Sequence, residues 1–244
     1  IAAISLILRP MISKNKLKLI KALATKKGRE RSGLLLAEGP KIVNELIAGG
    51  FELEFLIDNP DEVCQASLLQ HPQGVIGVFK QKVQPESETP LGQTLTIALD
   101  GVQDPGNLGT IIRIADWFGI RDIICSIDTA DCWNPKVVQA TMGSIARVTI
   151  RYANLESELT SISTDTPVYG TVLDGTSLYD EKSLADRGII VMGNEGNGIS
   201  PSIRRLLTHR LVIPPFAKYG PTAESLNVAV AAAIVCAEFR RRTT

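Results

Sequence analysis

The sequence predicts an α/β protein in two parts. A small α/β domain covers residues 11–80, a link covers 81–93, and a larger domain over 94–244 is organised on a largely parallel sheet. Three observations carry this. Short apolar runs alternate with stretches of helical period along most of the chain, and apolar strands separated by helices imply a parallel sheet covered on both faces. Residues 80–93, KQKVQPESETPLGQ, are polar, Pro-containing and aperiodic, which marks a link. In LDGVQDPGNLGTIIRIADWFG, residues 99–119, an apolar strand turns through Asp104, Pro105 and Gly106 straight into a helix.

Taken in order, Ser13 caps a helix carrying Leu17, Ile20 and Leu23, with lysines on its outer face, and Gly28 ends it. Leu34–Ala37 is a strand. Gly39-Pro40 opens a second helix, where the missing N–H of Pro costs nothing, and Gly49-Gly50 closes it. Phe55–Ile57, Asp61–Leu69 and Gly74–Phe79 read as strand, helix and strand. The second series places strands at Leu95–Leu99, Ile123–Ile127, Arg147–Ile150, Val168–Leu173, Ile189–Met192 and Leu211–Ile213. Helices fall at Leu108–Phe118, Pro135–Gly143, Leu155–Ile162 and Pro201–Leu207, and a last one runs from Leu226 to Arg240. That last helix is apolar nearly all round, so it belongs in the interior or at a subunit contact. In the helix after Asp104, Asn107 is the expected N-cap. Ile111, Ile112, Ala115 and Phe118 form its buried face, and Arg113 falls outside that stripe. An arginine there points toward the carboxyl end of the sheet, where α/β folds hold ligands.

The 26 basic and 26 acidic residues cancel, but not evenly. Nine Lys or Arg and one acid lie between Arg9 and Arg31, whereas Leu34–Gly92 has nine acids and three lysines. A neutral total therefore does not exclude a nucleic-acid partner. Cys64, Cys125, Cys132 and Cys236 have no paired spacing, and His71 and His209 stand apart. This is the usage of a reduced, cytoplasmic protein without a metal site. No run reaches the roughly 18 apolar residues of a membrane span. Ile1–Leu8 lacks a basic lead and does not read as a signal peptide, and Met11 would make a sensible start.

Two further loops stand out. In IIVMGNEGNGIS, residues 189–200, a strand enters a Gly-rich loop with one carboxylate, Glu195. The spacing is neither a dinucleotide fingerprint nor a Walker loop, and a plain tight turn would also fit. In residues 211–238 a strand ends at Ile213-Pro214, and Ser225-Leu226-Asn227 opens the Ala/Val-rich helix. Ser225 is the expected N-cap of that helix.

Together NLGTIIR (107–113), MGNEGNGIS (192–200) and IPP…ESLNVAVA (213–231) resemble, in order and separation, the three motifs of the SpoU, or TrmH, family of RNA 2′-O-methyltransferases. This family belongs to the SPOUT superfamily. The basic helix and RSGLLLAEGPKIVNEL (31–46) are similar to the substrate-binding domain of many members, itself like certain large-subunit ribosomal proteins. The resemblance implies a trefoil-knotted α/β domain, a homodimer, and S-adenosylmethionine held near Leu173, Gly193, Gly196, Ile213, Pro214 and Leu226. It places Arg113 at the target ribose, with Asn107, Glu195, Ser225 and Asn227 as supporting polar positions. One departure is the segment from Pro214 to Ser225, longer than the family pattern, with Lys218, Tyr219 and two prolines.

General-base help on a ribose 2′-OH is typically worth about 10²–10⁴-fold. Arg113 could act as a perturbed base, or as a clamp on the phosphate and the developing alkoxide with the proton removed elsewhere; the residues leave both open. Lys26, Lys27, Arg29 and Arg31 form the expected RNA-facing cluster, since phosphates are met by Lys and Arg. Ribosomal RNA is the expected substrate, with tRNA as the alternative. A non-catalytic RNA-binding or ribosome-assembly protein of this fold, and a base-nitrogen methyltransferase, are the rival readings.

Overall fold

A computed structural model describes residues 12–82, 90–182, 184–216 and 223–243. Residues 1–11, most of the link, and Lys218 and Tyr219 of the long segment lie outside the described residues. The chain divides into two compact units. The first runs through Gln81 and includes Trp133–Pro135; the second holds Lys82–Cys132 and everything after Pro135.

In the first unit the expected single basic helix is two, α1 (Lys14–Leu23) and α2 (Lys26–Ser32). The break arises at Thr25, whose hydroxyl accepts from Gly28 N–H (3.1 Å) and donates to Ala22 C=O (2.9 Å). Gly28 does not end a helix; it lets α2 fold back on α1, since a Cβ there would lie 2.0 Å from the Ala22 oxygen. The left-handed stop is Gly33, at φ 65°. Then come β1 (Leu34–Glu38), α3 (Pro40–Ala48), β2 (Leu53–Ile57), α4 (Pro60–Ala66) and β3 (Ile76–Lys80). The strands form an antiparallel sheet with β3 central. Its core includes Ile20, Leu23, Leu36, Ile57, Val63, Ile76 and Val78. Glu38 is buried, accepting from Leu68 N–H at 2.9 Å and from the Ser67 hydroxyl.

The second unit contains β4 (Leu95–Asp100), α5 (Pro105–Trp117), β5 (Asp122–Cys125), α6 (Pro135–Thr141), a 3₁₀ turn (Ser144–Ala146), β6 (Thr149–Tyr152), α7 (Leu155–Ser161), β7 (Val168–Ser177), β8 (Gly188–Gly193), α8 (Pro201–Arg204), β9 (His209–Val212) and α9 (Val228–Thr243). The six strands lie in the order β6-β5-β4-β8-β7-β9, all parallel, as the apolar alternation predicts. One face packs Ala98, Ile124, Val168, Ile189 and Val191 against Leu155, Leu159 and Ile203. On α5, Leu108, Ile111, Ile112 and Ala115 are buried, and on α9 Ala232, Val235, Cys236 and Phe239.

Several expected ends move. Residue 147 is not in a strand: Arg147 binds Asp116 through Nε and Nη2, at 3.0 and 2.8 Å, and β6 begins two residues later. β7 runs past Leu173 through a bulge in which both Thr171 and Thr176 oppose Leu211 of β9. Gly175 is required there, because a Cβ would lie 2.6 Å from the Arg210 backbone. α8 stops at Arg204 rather than Leu207. Among the described residues no helix is long and apolar enough to cross a membrane, and no His/Cys/Asp/Glu group is arranged to hold a metal ion.

Near the end of α9, hydrogen bonds from Arg241 hold the Glu238 carboxyl down at about 2, against a smaller upward push from burial and with further help from Arg242. A carboxyl depressed in the folded state contributes stability above its ordinary value and loses it as pH falls toward the folded value. Glu238→Gln is therefore expected to flatten the loss of thermal stability between about pH 4.5 and 2. Melting curves of both proteins over that range check this; parallel curves would contradict it.

Candidate active site

The carboxyl ends of β4, β8, β7 and β9 bring the three loops together. After β4 the chain turns into α5, but the N-cap is Asp104, not Asn107: Asp104 Oδ1 accepts from Asn107 N–H at 2.8 Å. The helix starts three residues early because Pro105 suits a first helical position and Asp104 can accept from an otherwise free N–H. Asn107, inside the first turn, is thereby released from capping.

Its amide joins the three loops. Asn107 Nδ2 donates to Glu195 Oε1 at 3.0 Å, and Asn107 Oδ1 accepts from Asn227 Nδ2 at 2.9 Å. Glu195 also accepts from the backbone N–H groups of Gln103 and Asp104, each at 3.3 Å. Partial burial pushes the Glu195 carboxyl upward, but the hydrogen bonds from Asn107 and from backbone outweigh this and hold it below the usual carboxylate range. The carboxylate is therefore the acceptor end of a chain running Asn227→Asn107→Glu195. Asn227 Oδ1 accepts from Ala229 and Val230 N–H at 3.0 and 3.2 Å, so Asn227 caps α9. Ser225, the expected cap, is exposed and makes no hydrogen bond among the described residues. It stands two residues too far from the first free N–H groups.

The Gly-rich loop closes on itself. Asn194 and Gly198 exchange backbone hydrogen bonds at 2.9 Å each way, and Asn194 Oδ1 accepts from Gly196 and Asn197 N–H at 2.9 and 3.0 Å. Asn194 Nδ2 donates to Gly101 C=O at 2.6 Å, and Asp100 Oδ2 accepts from Ser200 N–H at 2.6 Å. Asn194 and Asp100 were not singled out from sequence; an Asn opening a Gly-rich turn is the signal available. Gly193 does not open space for a ligand. A Cβ there would lie 2.3–2.6 Å from the backbone of Gly198 and Ile199, so its bareness closes the loop. Gly196 faces open space, with only Asn194 Oδ1 at 3.6 Å from a Cβ.

Around this edge apolar side chains stay uncovered: Leu173 is 77% exposed, Phe216 79% and Leu226 48%, and Ile213 and Pro214, just before Phe216 in sequence, are half-buried. Exposed apolar groups beside loop backbone suit a ligand with an aromatic base, so the residues fit S-adenosylmethionine. Arg113 lies on the exposed face of α5 and forms no hydrogen bond or ion pair among the described residues. It is not part of the Asn227–Asn107–Glu195 chain. In the first unit Lys26, Lys27 and Arg31 are exposed, but Arg29 is 2% exposed and its Nη1 donates to Leu23 C=O at 2.8 Å. Arg29 is thus removed from the RNA-facing cluster: its guanidinium ties α2 to the end of α1.

This parallel sheet, the loops at its carboxyl edge and the sequence agree on one class: residues 94–237 match the SpoU rRNA methylase family, and the chain belongs to it. Residues 14–95 match the MRM3-like substrate binding domain. Among relatives, the chain is 31% identical over 240 residues to the 23S rRNA (guanosine(2553)-2′-O)-methyltransferase RlmP of Bacillus subtilis, covering 90% of this chain and 94% of that protein. It is 34% identical over 185 residues to the 23S rRNA (guanosine-2′-O-)-methyltransferase RlmB of Neisseria meningitidis, covering 70% and 69%. The AdoMet-bound rRNA methyltransferase from Sinorhizobium meliloti aligns with TM-score 0.85 at 29% identity, over 97% of this chain and 98% of that one.

Proposed function

We propose that this protein is an S-adenosylmethionine-dependent enzyme that methylates a ribose 2′-OH in ribosomal RNA. The observation that carries this is the Asn227–Asn107–Glu195 chain, which joins three loops 88 and 120 positions apart at one edge of the sheet. When bound, S-adenosylmethionine supplies an electrophilic methyl group on a sulfonium. Leu173, Ile213, Pro214 and Leu226 bound the apolar surface for its base, while Gly193 and Gly196 shape the loop between. Asn107 ties the first turn of α5 to Asn227, which caps α9, and the ionised Glu195 sets the direction of both amides. Arg113, exposed and without a partner among the described residues, clamps the phosphate and the developing 2′-oxyanion; a planar guanidinium fork suits both. Ser225, exposed beside the chain, is free to hold the ribose. Positioning of this kind supplies much of the catalysis in a transfer step.

The test is direct. The full chain, methyl-labelled S-adenosylmethionine and unmodified ribosomal RNA should yield a label that co-migrates with a 2′-O-methylnucleoside after digestion. A label on a base, or binding without any transfer, would replace this reading.

Lys26, Lys27 and Arg31 meet RNA phosphates. Neutralising all three is expected to flatten the salt dependence of RNA binding by about one slope unit for each phosphate no longer met. Arg29→Ala should instead lower the melting temperature, because a buried C=O loses its donor. Salt titrations and melting curves separate the two, and an unchanged slope would mean that the three side chains face only water.

The protein works as a cytoplasmic homodimer. Supporting this, α5 and α9 present Trp117 (84% exposed) and Val230 (49%) outward, and three of the four free thiols are buried. Arg242 of α9 donates to the carbonyls of Leu178, Tyr179 and Glu181. The last helix is thereby held on the segment following β7, and the fold proposed for this unit is a trefoil knot. Sedimentation should show a dimer at micromolar concentration that Trp117→Glu dissociates; a fully active monomer would overturn this.

A further inference from the structure

We propose that Arg204, Arg205 and Arg210 form a phosphate-contacting surface for the substrate RNA on the methyltransferase unit; this rests on the reading above that the substrate is RNA. Three elements converge here. Arg204 is the last residue of α8 and donates through Nη2 to both carboxylate oxygens of Asp174, each at 2.5 Å. Arg210, in β9, brings Nη1 to 3.9 Å from the same carboxylate. Asp174 lies in the β7 bulge directly after Leu173, so the cluster adjoins the edge where the cofactor residues gather. Arg205 follows Arg204, is exposed, and its side chain has no partner among the described residues, its backbone N–H donating to Ile203 C=O.

The charges do not balance. Among the described residues Asp174 is the one carboxylate within ion-pair distance of these three arginines. The side chains of Arg210 and Asp174 are 48% and 57% exposed, and ion pairs this open to water hold weakly. A structural role would need one arginine on Asp174. The surplus of positive charge beside the reacting edge has no internal use and is the pattern that attracts a polyanion. Arg205 is the C-terminal cap residue of α8 and Arg204 stands in its last turn, but Arg210 lies on a strand and no helix end accounts for it. Phosphates flanking the target nucleotide would add to Arg210 and Arg205 and compete with Asp174 for Arg204.

The probe is a fluorescent 20-nucleotide single-stranded RNA, with anisotropy read against salt for the full chain. Arg205→Ala combined with Arg210→Ala should make the log–log salt slope shallower by about 1.4, at roughly 0.7 for each phosphate on a single strand. S-adenosylmethionine affinity and melting temperature should stay as in the wild type. Asp174→Asn, which removes the competing carboxylate, should tighten RNA binding, an opposite sign that a purely structural role would not give. Arg187→Ala, an exposed arginine paired elsewhere with Asp165, is the control and should leave the slope unchanged. If the wild type binds and the double variant keeps its slope, the surface is overturned while the RNA reading stands. A wild type without salt-dependent RNA binding would sink both.

Discussion

Arg113→Ala is expected to lower kcat on the order of 10²–10³-fold, the loss typical of removing one donor that meets developing charge. Cofactor affinity and fold should hardly change. The side chain is exposed and unpartnered among the described residues, so truncation leaves no cavity and no orphaned group, and surface changes of this kind stay within about 0.5 kcal/mol. Arg113→Lys should fail as well, because one ammonium does not reproduce a planar fork. Asn107→Ala is the informative contrast. It strips Glu195 and Asn227 of their shared partner, so activity and loop order should fall together. The helix-cap loss of about 1 kcal/mol belongs to Asp104→Ala instead. Wild-type turnover by Arg113→Ala at saturating RNA and cofactor would return Arg113 to the status of a solvated helix arginine.

The second large effect is expected at Gly193. The position is buried, and the backbone of Gly198 and Ile199 fills the place a Cβ would take, at 2.3–2.6 Å. Gly193→Ala must push the 194–200 loop away, and with it the Glu195 contact to α5. Overpacking of this kind costs about 1–3 kcal/mol. Carried into cofactor binding, that is roughly a fivefold to 150-fold loss of affinity. Gly196→Ala has open space and should fold normally, so any loss of affinity there reports contact with the cofactor itself. Calorimetric titration of both variants decides it. Wild-type affinity in Gly193→Ala would mean that the loop takes no part in the cofactor site.

What was legible in the sequence was periodicity and motif order. Ile97, Ala98 and Leu99 announce a strand buried on both faces, and Ile111, Ile112 and Ala115 announce the inner face of α5. The convergence of Asn107, Glu195 and Asn227 followed from motif order through family likeness, since no local pattern joins residues that far apart. What escaped was decided by competition between neighbours. Asp104 and Asn107 are both good caps, and Pro105 settled the choice. Thr25 could close one helix and open another, a choice made by how tightly Gly28 lets the backbones approach. Arg29 sits among exposed cations in sequence, yet the α1–α2 turn places it over the carbonyl of Leu23. The bulge after Thr171 depends on Gly175 meeting β9, a pairing invisible along one strand. In the first unit, alternation of strand and helix said nothing about β3 slipping between β1 and β2.

The strand order has a consequence for how the molecule comes into being. β4, the first strand of its sheet, pairs with β8, so Leu95 must wait for Gly188 before its second edge is satisfied. Asn107 waits longer still, for Asn227. Closing loops of this length carries an entropic penalty that is met before the contacts reward it, and high contact order slows folding. A chain emerging from the ribosome therefore holds an open edge on β4 until β8 is made, and an incomplete loop contact at Asn107 until Asn227 follows. The strands of the first unit all lie within residues 34–80, so its sheet can pair while the rest is still being synthesised, and Trp133–Pro135 joins that unit later. Lys26, Lys27 and Arg31, proposed above to meet RNA, would then be in place before the chain is competent to modify it.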